Sequence, residues 1–97
     1  MVLEELERVI LDRAGTDPSE SYTARLLEDS ELNRRKIMEE AFEVCLELGR
    51  GAGPADPVDR GRIAEEAADL VYHLMVALAG AGVEFGAVTT ALEERRR

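Results

Sequence analysis

Apolar residues recur along this chain at helical spacing, and breakers separate the periodic stretches. Val2, Leu3, Leu6, Val9, Ile10 and Ala14 line one side of a first segment, with Glu and Arg on the other. Gly15-Thr16-Asp17-Pro18 stops it. SYTARLLEDS, from Ser21 to Ser30, is long enough for one or two helical turns. Ser30 reads as the N-cap of a long helix from Glu31 to about Leu48, with acidic Glu31 in the first turn. The run from Gly49 to Pro54 ends that helix. Asp56-Pro57 supplies an N-cap and a first-turn proline for a second long helix reaching about Ala81. Gly80 and Gly82 close it, and a last helix runs from about Glu84 into the terminal arginines. Val83 to Thr90 also suits a strand, but a single strand has no partner to pair with. The pattern predicts an all-α fold, a small bundle of four to five helices.

The two long helices share a layout. On the first, Ile37, Met38, Ala41, Phe42, Val44, Cys45, Leu46 and Leu48 fill an apolar arc of roughly 200°. The remaining stripe holds Lys36, Glu39, Glu40, Glu43 and Glu47. On the second, Ile63, Ala67, Leu70, Val71, Leu74, Met75 and Leu78 form a similar arc, and Arg62, Glu65, Glu66, Asp69 and His73 form the polar stripe. One neighbour needs an apolar stripe of only about 100°. Each helix therefore expects more than one neighbour, and a bundle this small is expected to be completed by oligomerisation, as a homodimer or a higher homo-oligomer. Cys45, inside the arc, is expected to be a small buried hydrophobe.

Composition sharpens the picture. The 97 residues suit one domain, 1–97, and a hydrophobic share of 45 % is too high for a disordered chain. Twelve basic residues against 21 acidic ones give −9; without Arg95, Arg96 and Arg97 the balance is nine against 21, or −12. Such a body repels a phosphate backbone, which argues against nucleic acid as a partner. A lone cysteine excludes an internal disulfide framework and a Cys-based zinc site. The acidic N-terminus lacks a signal-peptide layout, and no apolar run is long enough to span a bilayer. The expectation is a soluble, cytoplasmic protein with no membrane partner.

Glu40 and Glu43 stand one turn apart on the first long helix, with Glu39 beside them, and Glu66 and Asp69 repeat the spacing on the second. If the helices pack antiparallel, the two pairs face each other. Carboxylates converging in a cleft resist full ionisation. A hard divalent cation such as Mg²⁺ relieves that repulsion and keeps open positions for water or phosphate. The alternative is that these residues fill solvated faces of an acidic protein. A di-iron bundle needs Glu-x-x-His on two helices, and the one histidine, His73, does not supply it.

SYTARLLED, RRKIMEEAFEV and EEAADLVYHLMVALAGAGVEFGAVTTALEERR, in this order along nearly the whole chain, resemble the phosphoribosyl-ATP pyrophosphohydrolase family of histidine biosynthesis. EExxE followed by ExxD is common to the wider MazG-like all-α pyrophosphohydrolases; the SYTxxLL and EAADLxYHL stretches are the narrower signals. Met38 stands where the family often has a small residue. The resemblance implies hydrolysis of the α–β anhydride of phosphoribosyl-ATP to phosphoribosyl-AMP and pyrophosphate, with Mg²⁺ required and Mn²⁺ as a substitute. It implies Glu40, Glu43, Glu66 and Asp69 as metal ligands. Glu39 is the candidate to orient or deprotonate water, against a salt bridge to Arg35 or Lys36. Lys36 and Arg35 are candidates to meet phosphate, Lys36 against an i, i+4 pair with Glu40. Ser21, Tyr22 and Thr23 are candidates for substrate contact, against simple capping. His73 continues the second stripe by one more turn and is a candidate for substrate contact or support of the site, against a satisfied half-buried histidine. Tyr72 is expected to pack with its hydroxyl tethered. Two rival readings are a MazG-like housecleaning enzyme for nucleoside triphosphates and a non-catalytic helical dimerisation module.

Overall fold

The computed structural model describes residues 2–51 and 53–96, and these form five helices with no strand among them. In chain order they are α1 (Val2–Asp12), α2 (Tyr22–Glu28), α3 (Ser30–Leu48), α4 (Pro57–Gly80) and α5 (Phe85–Arg95). The all-α expectation holds, and the strand-like stretch from Val83 lies mostly in α5. Arg97, the last of the arginine run, lies outside the described residues.

Local chemistry sets most boundaries. Ser21 caps α2, its hydroxyl accepting the Ala24 N–H at 3.1 Å, and Asp56 caps α4 by accepting the Asp59 N–H at 2.9 Å, with Pro57 opening the helix. The start of α3 differs from expectation. Asp29 caps it, accepting the Leu32 N–H at 3.1 Å, and Ser30 is already helical. An aspartate and a serine side by side are comparable caps by type. Asp29 is also the C-cap of α2, where its own N–H donates to the Arg25 carbonyl, so one residue closes one helix and opens the next. The N-terminal cap of α5 comes from far away, because Glu7 on α1 accepts the Phe85 N–H at 2.7 Å. Gly82, at φ +75°, makes the turn between α4 and α5.

The core is small and sits toward the C-terminal half of α4. Ile10, Leu26, Met75 and Val76 are buried there, with Leu3, Leu6, Leu27, Leu32, Tyr72, Ala79 and Phe85 packed around them. α3 and α4 form an antiparallel hairpin that reaches beyond this core. The radius of gyration is 15.2 Å, against about 13 Å for a compact chain of this length.

The hairpin has its polar stripes inside. Asn33, Glu40, Glu43 and Glu47 on α3 meet Arg62, Glu66, Asp69 and His73 on α4, while much of the apolar arc faces outward. Met38 is 72 % exposed, Phe42 63 % and Leu46 52 %. Cys45 is exposed with them, which corrects the expectation of a buried thiol. The periodicity located the arc correctly, but among the described residues no element of the same chain covers its Met38, Phe42 and Leu46 side.

Candidate metal and substrate site

Antiparallel packing of α3 on α4 brings the two carboxylate pairs together. One turn toward the loop from Glu43 and Glu66, Arg62 Nη1 lies 3.5 Å from Glu47 Oε1. At the other end the Asn33 amide donates to the His73 carbonyl at 3.2 Å. Between these ties, Glu40, Glu43 and Glu66 each offer a carboxylate oxygen, and the three oxygens lie within 4.8 Å of one another. Asp69 stands outside that trio, but its charge acts on both Glu40 and Glu66.

Two of the three carboxyls, Glu40 and Glu66, hold their protons more tightly than usual. Burial pushes the Glu40 carboxyl above its ordinary value, and the charges of Glu43 and Asp69 push it further, against the pull of His73 and Lys36. Glu66 is also raised, first because its protonated carboxyl hydrogen-bonds Glu43, then by desolvation and by the charges of Glu43, Glu40 and Asp69. Glu40 Oε2 and Glu66 Oε2 are buried with no donor among the described residues other than a carboxyl proton shared within the trio. Two desolvated carboxylate oxygens with no other donor are costly in a protein interior. An all-carboxylate donor set with such oxygens fits a hard cation of the Mg²⁺ kind.

The remaining predicted residues divide. Glu39 is exposed and pairs with Lys36 Nζ at 3.3 Å, the salt-bridge alternative, so the ion pair of Lys36 is with Glu39 rather than Glu40. That hydrogen bond and charge raise the Lys36 pKa, and Tyr22 and Glu40 add to it, which puts the ammonium beside the carboxylate site. Arg35 is exposed on α3, and nothing among the described residues ties it to the carboxylates. Ser21 is the cap of α2. The next two residues dock on α4, the Tyr22 hydroxyl lying 2.8 Å from His73 Nε2 and Thr23 Oγ1 2.5 Å from the Tyr72 hydroxyl. Tyr72 is thus half-buried with a tethered hydroxyl, as expected. Desolvation raises the Tyr22 pKa, while Lys36 lowers it. His73 is buried with both ring nitrogens engaged, Nδ1 lying 2.7 Å from the Asp69 carbonyl.

Sequence reasoning passed over Asn33. It is 1 % exposed and lies on the inner stripe, three and seven residues before Lys36 and Glu40. That spacing was the available signal: an amide in register with the carboxylates on the same helical face.

The chain is similar to known proteins over nearly its whole length. The family model described as "Phosphoribosyl-ATP pyrophosphohydrolase" matches residues 3–96. Among curated relatives named "Phosphoribosyl-ATP pyrophosphatase", that of Cereibacter sphaeroides is 43 % identical over 95 residues, covering 97 % of this chain and 85 % of the relative. That of Methylobacterium radiotolerans is 40 % identical over 94 residues, covering 96 % and 81 %. That of Caulobacter vibrioides is 43 % identical over 94 residues, covering 97 % and 81 %. A match that runs from α1 to the end of α5 leaves no element of the fold outside it, and the chain belongs to the phosphoribosyl-ATP pyrophosphohydrolase family.

Proposed function

We propose that this chain is a phosphoribosyl-ATP pyrophosphatase of histidine biosynthesis, hydrolysing the α–β anhydride to phosphoribosyl-AMP and pyrophosphate with Mg²⁺. The observation that carries the reading is the Glu40–Glu43–Glu66 trio with its two buried oxygens that no donor outside the trio meets, in a member of this family. Glu40, Glu43 and Glu66 would hold the ion, with Asp69 completing the set from the edge of the trio. When bound, Mg²⁺ supplies the positive charge that lets an acidic cleft accept a polyphosphate and polarises the phosphorus under attack. Mn²⁺, which takes similar ligands, is expected to substitute.

The chain's own residues do the rest. The helix pair fixes the carboxylates on two rigid elements, so their spacing is set before substrate arrives. Lys36 places a cation at the edge of the cleft, where phosphate oxygens approach. Glu39, outside the trio, would accept the proton of the attacking water once its ion pair with Lys36 opens. Tyr22 borders the same end of the site, with Ser21 and Thr23 beside it in the chain as further candidates for substrate contact. The outward apolar face of α3 and α4 supports a homodimer or larger homo-oligomer, because a monomer leaves Met38, Phe42 and Leu46 in water.

The test is pyrophosphate release from phosphoribosyl-ATP beside ATP, dUTP and dCTP, with and without chelator. Release confined to phosphoribosyl-ATP and abolished by EDTA is the expected result. Release from the ordinary triphosphates instead would move the activity to the housecleaning branch. Release that survives chelation would overturn the metal assignment.

A further inference from the structure

Three rings pack on one another beside the carboxylate site. Tyr22 and Tyr72 lie near parallel, at 21°, with their ring centroids 6.4 Å apart. The His73 ring meets Tyr22 edge-on at a centroid distance of 5.7 Å. The Tyr22 hydroxyl lies 2.8 Å from His73 Nε2, and the tie holds whichever of the two donates. Tyr72 is fixed in turn through its hydroxyl, 2.5 Å from Thr23 Oγ1. The three rings differ in what they show to solvent. His73 is buried and Tyr72 half-buried, whereas Tyr22 is 45 % exposed. Its hydroxyl is engaged, so much of that exposed surface is ring carbon. Lys36 and Glu40 lie close enough for their charges to act on it, which puts the ring at the edge of the carboxylate site.

We propose that Tyr22 is the platform on which the base of the nucleotide stacks, with Tyr72 and His73 as its backing. The face of an aromatic ring is the negative part of its quadrupole, so it does not attract ionised phosphate. A nucleobase of any kind presents a planar π-face that stacks on such a ring. The location agrees. In a nucleotide the base stands one sugar away from the α-phosphate, and Tyr22 stands beside the Glu40–Glu43–Glu66 trio rather than within it. The ring is also fixed before a ligand arrives, so stacking on it costs little side-chain freedom. This inference rests on the nucleotide-hydrolysing function proposed above, and it assigns the base-binding end of that site.

Tyrosine emission gives a direct test, because the chain has two tyrosines and no tryptophan. Tyr72→Phe leaves Tyr22 as the only emitter. With Mg²⁺ present, AMP is expected to quench that emission, while ribose 5-phosphate, which has the sugar and phosphate without the base, leaves it bright. Calorimetric affinities supply the second arm. Tyr22→Leu is expected to weaken phosphoribosyl-AMP about tenfold, within the range of one stacked base, and ribose 5-phosphate less than twofold. Tyr22→Phe, which keeps the ring and loses the tie to His73, falls between wild type and Tyr22→Leu. A loss shared equally by both ligands overturns the proposal, since it reports a disturbed site rather than a lost base contact. So does a Tyr22→Leu variant that binds phosphoribosyl-AMP as wild type does. Should Tyr22→Leu fail to fold, equal emission with AMP and with ribose 5-phosphate overturns it alone. A wild type inactive on every triphosphate overturns the proposed function, and base-dependent quenching would still uphold the platform.

Discussion

At the scale of single residues, the Glu40 and Glu66 carboxyls link the proposed activity to stability. Glu40→Gln and Glu66→Gln are each expected to abolish pyrophosphate release at saturating Mg²⁺ while the helices stay folded, which circular dichroism checks beside the assay. Both groups have raised pKa values in the fold, against about 4.3 for Glu in an unfolded chain. The folded state thus binds their protons more tightly than the unfolded state does. The stability they contribute is fully present below the unfolded value and is lost as pH rises through the folded one. In EDTA, the melting temperature of wild type should therefore fall relative to that of the Glu40→Gln, Glu66→Gln double variant as pH rises above about 4.3. Mg²⁺ added at pH 8 should raise the wild-type melting temperature and leave the double variant unmoved. A wild type that tracks the double variant across the pH range would show that the trio is not electrostatically strained.

Elements were the most legible level of the sequence. Periodicity with Gly and Pro punctuation found the four longer helices and gave α2 as one or two turns, because those signals are local. Cap identity at α3 was not legible, since Asp29 and Ser30 are adjacent and the choice depends on where α2 ends. Asp29→Ala is expected to cost about 1 kcal/mol of unfolding free energy in a urea titration, and Ser30→Ala much less, given that only Asp29 accepts the Leu32 N–H. The facing of Glu40 and Glu43 toward Glu66 and Asp69 followed from helical spacing once antiparallel packing was assumed. The place of Asn33 did not, because a lone amide between apolar and charged residues carries no mark of what lies across from it. The docking of Tyr22 on His73 joins residues 51 positions apart, a contact no local pattern encodes.

For the molecule as a whole, the distribution of polarity matters more than any one contact. The α3–α4 hairpin turns its carboxylates inward and its aliphatic and aromatic side chains outward, leaving Phe42 63 % exposed. That surface should associate with a second copy. Wild type is expected to run as a dimer or larger species in light scattering, and Phe42→Glu to shift it toward monomer with a lower melting temperature. A wild-type monomer at micromolar concentration would sink the association. The expectation that Cys45 is buried was drawn from its place in the apolar arc; within one chain that arc faces solvent.

The position of that thiol has a practical consequence. Cys45 is the only cysteine in the chain and lies in the outward arc between Phe42 and Leu46. An aromatic disulfide reagent that releases colour on reaction should modify it quickly in a separated subunit and slowly when the arc is covered. In the proposed assembly the native protein would therefore carry its own clock for subunit exchange. The labelling rate, followed against dilution, would time how long two chains remain together, with no substitution or added dye.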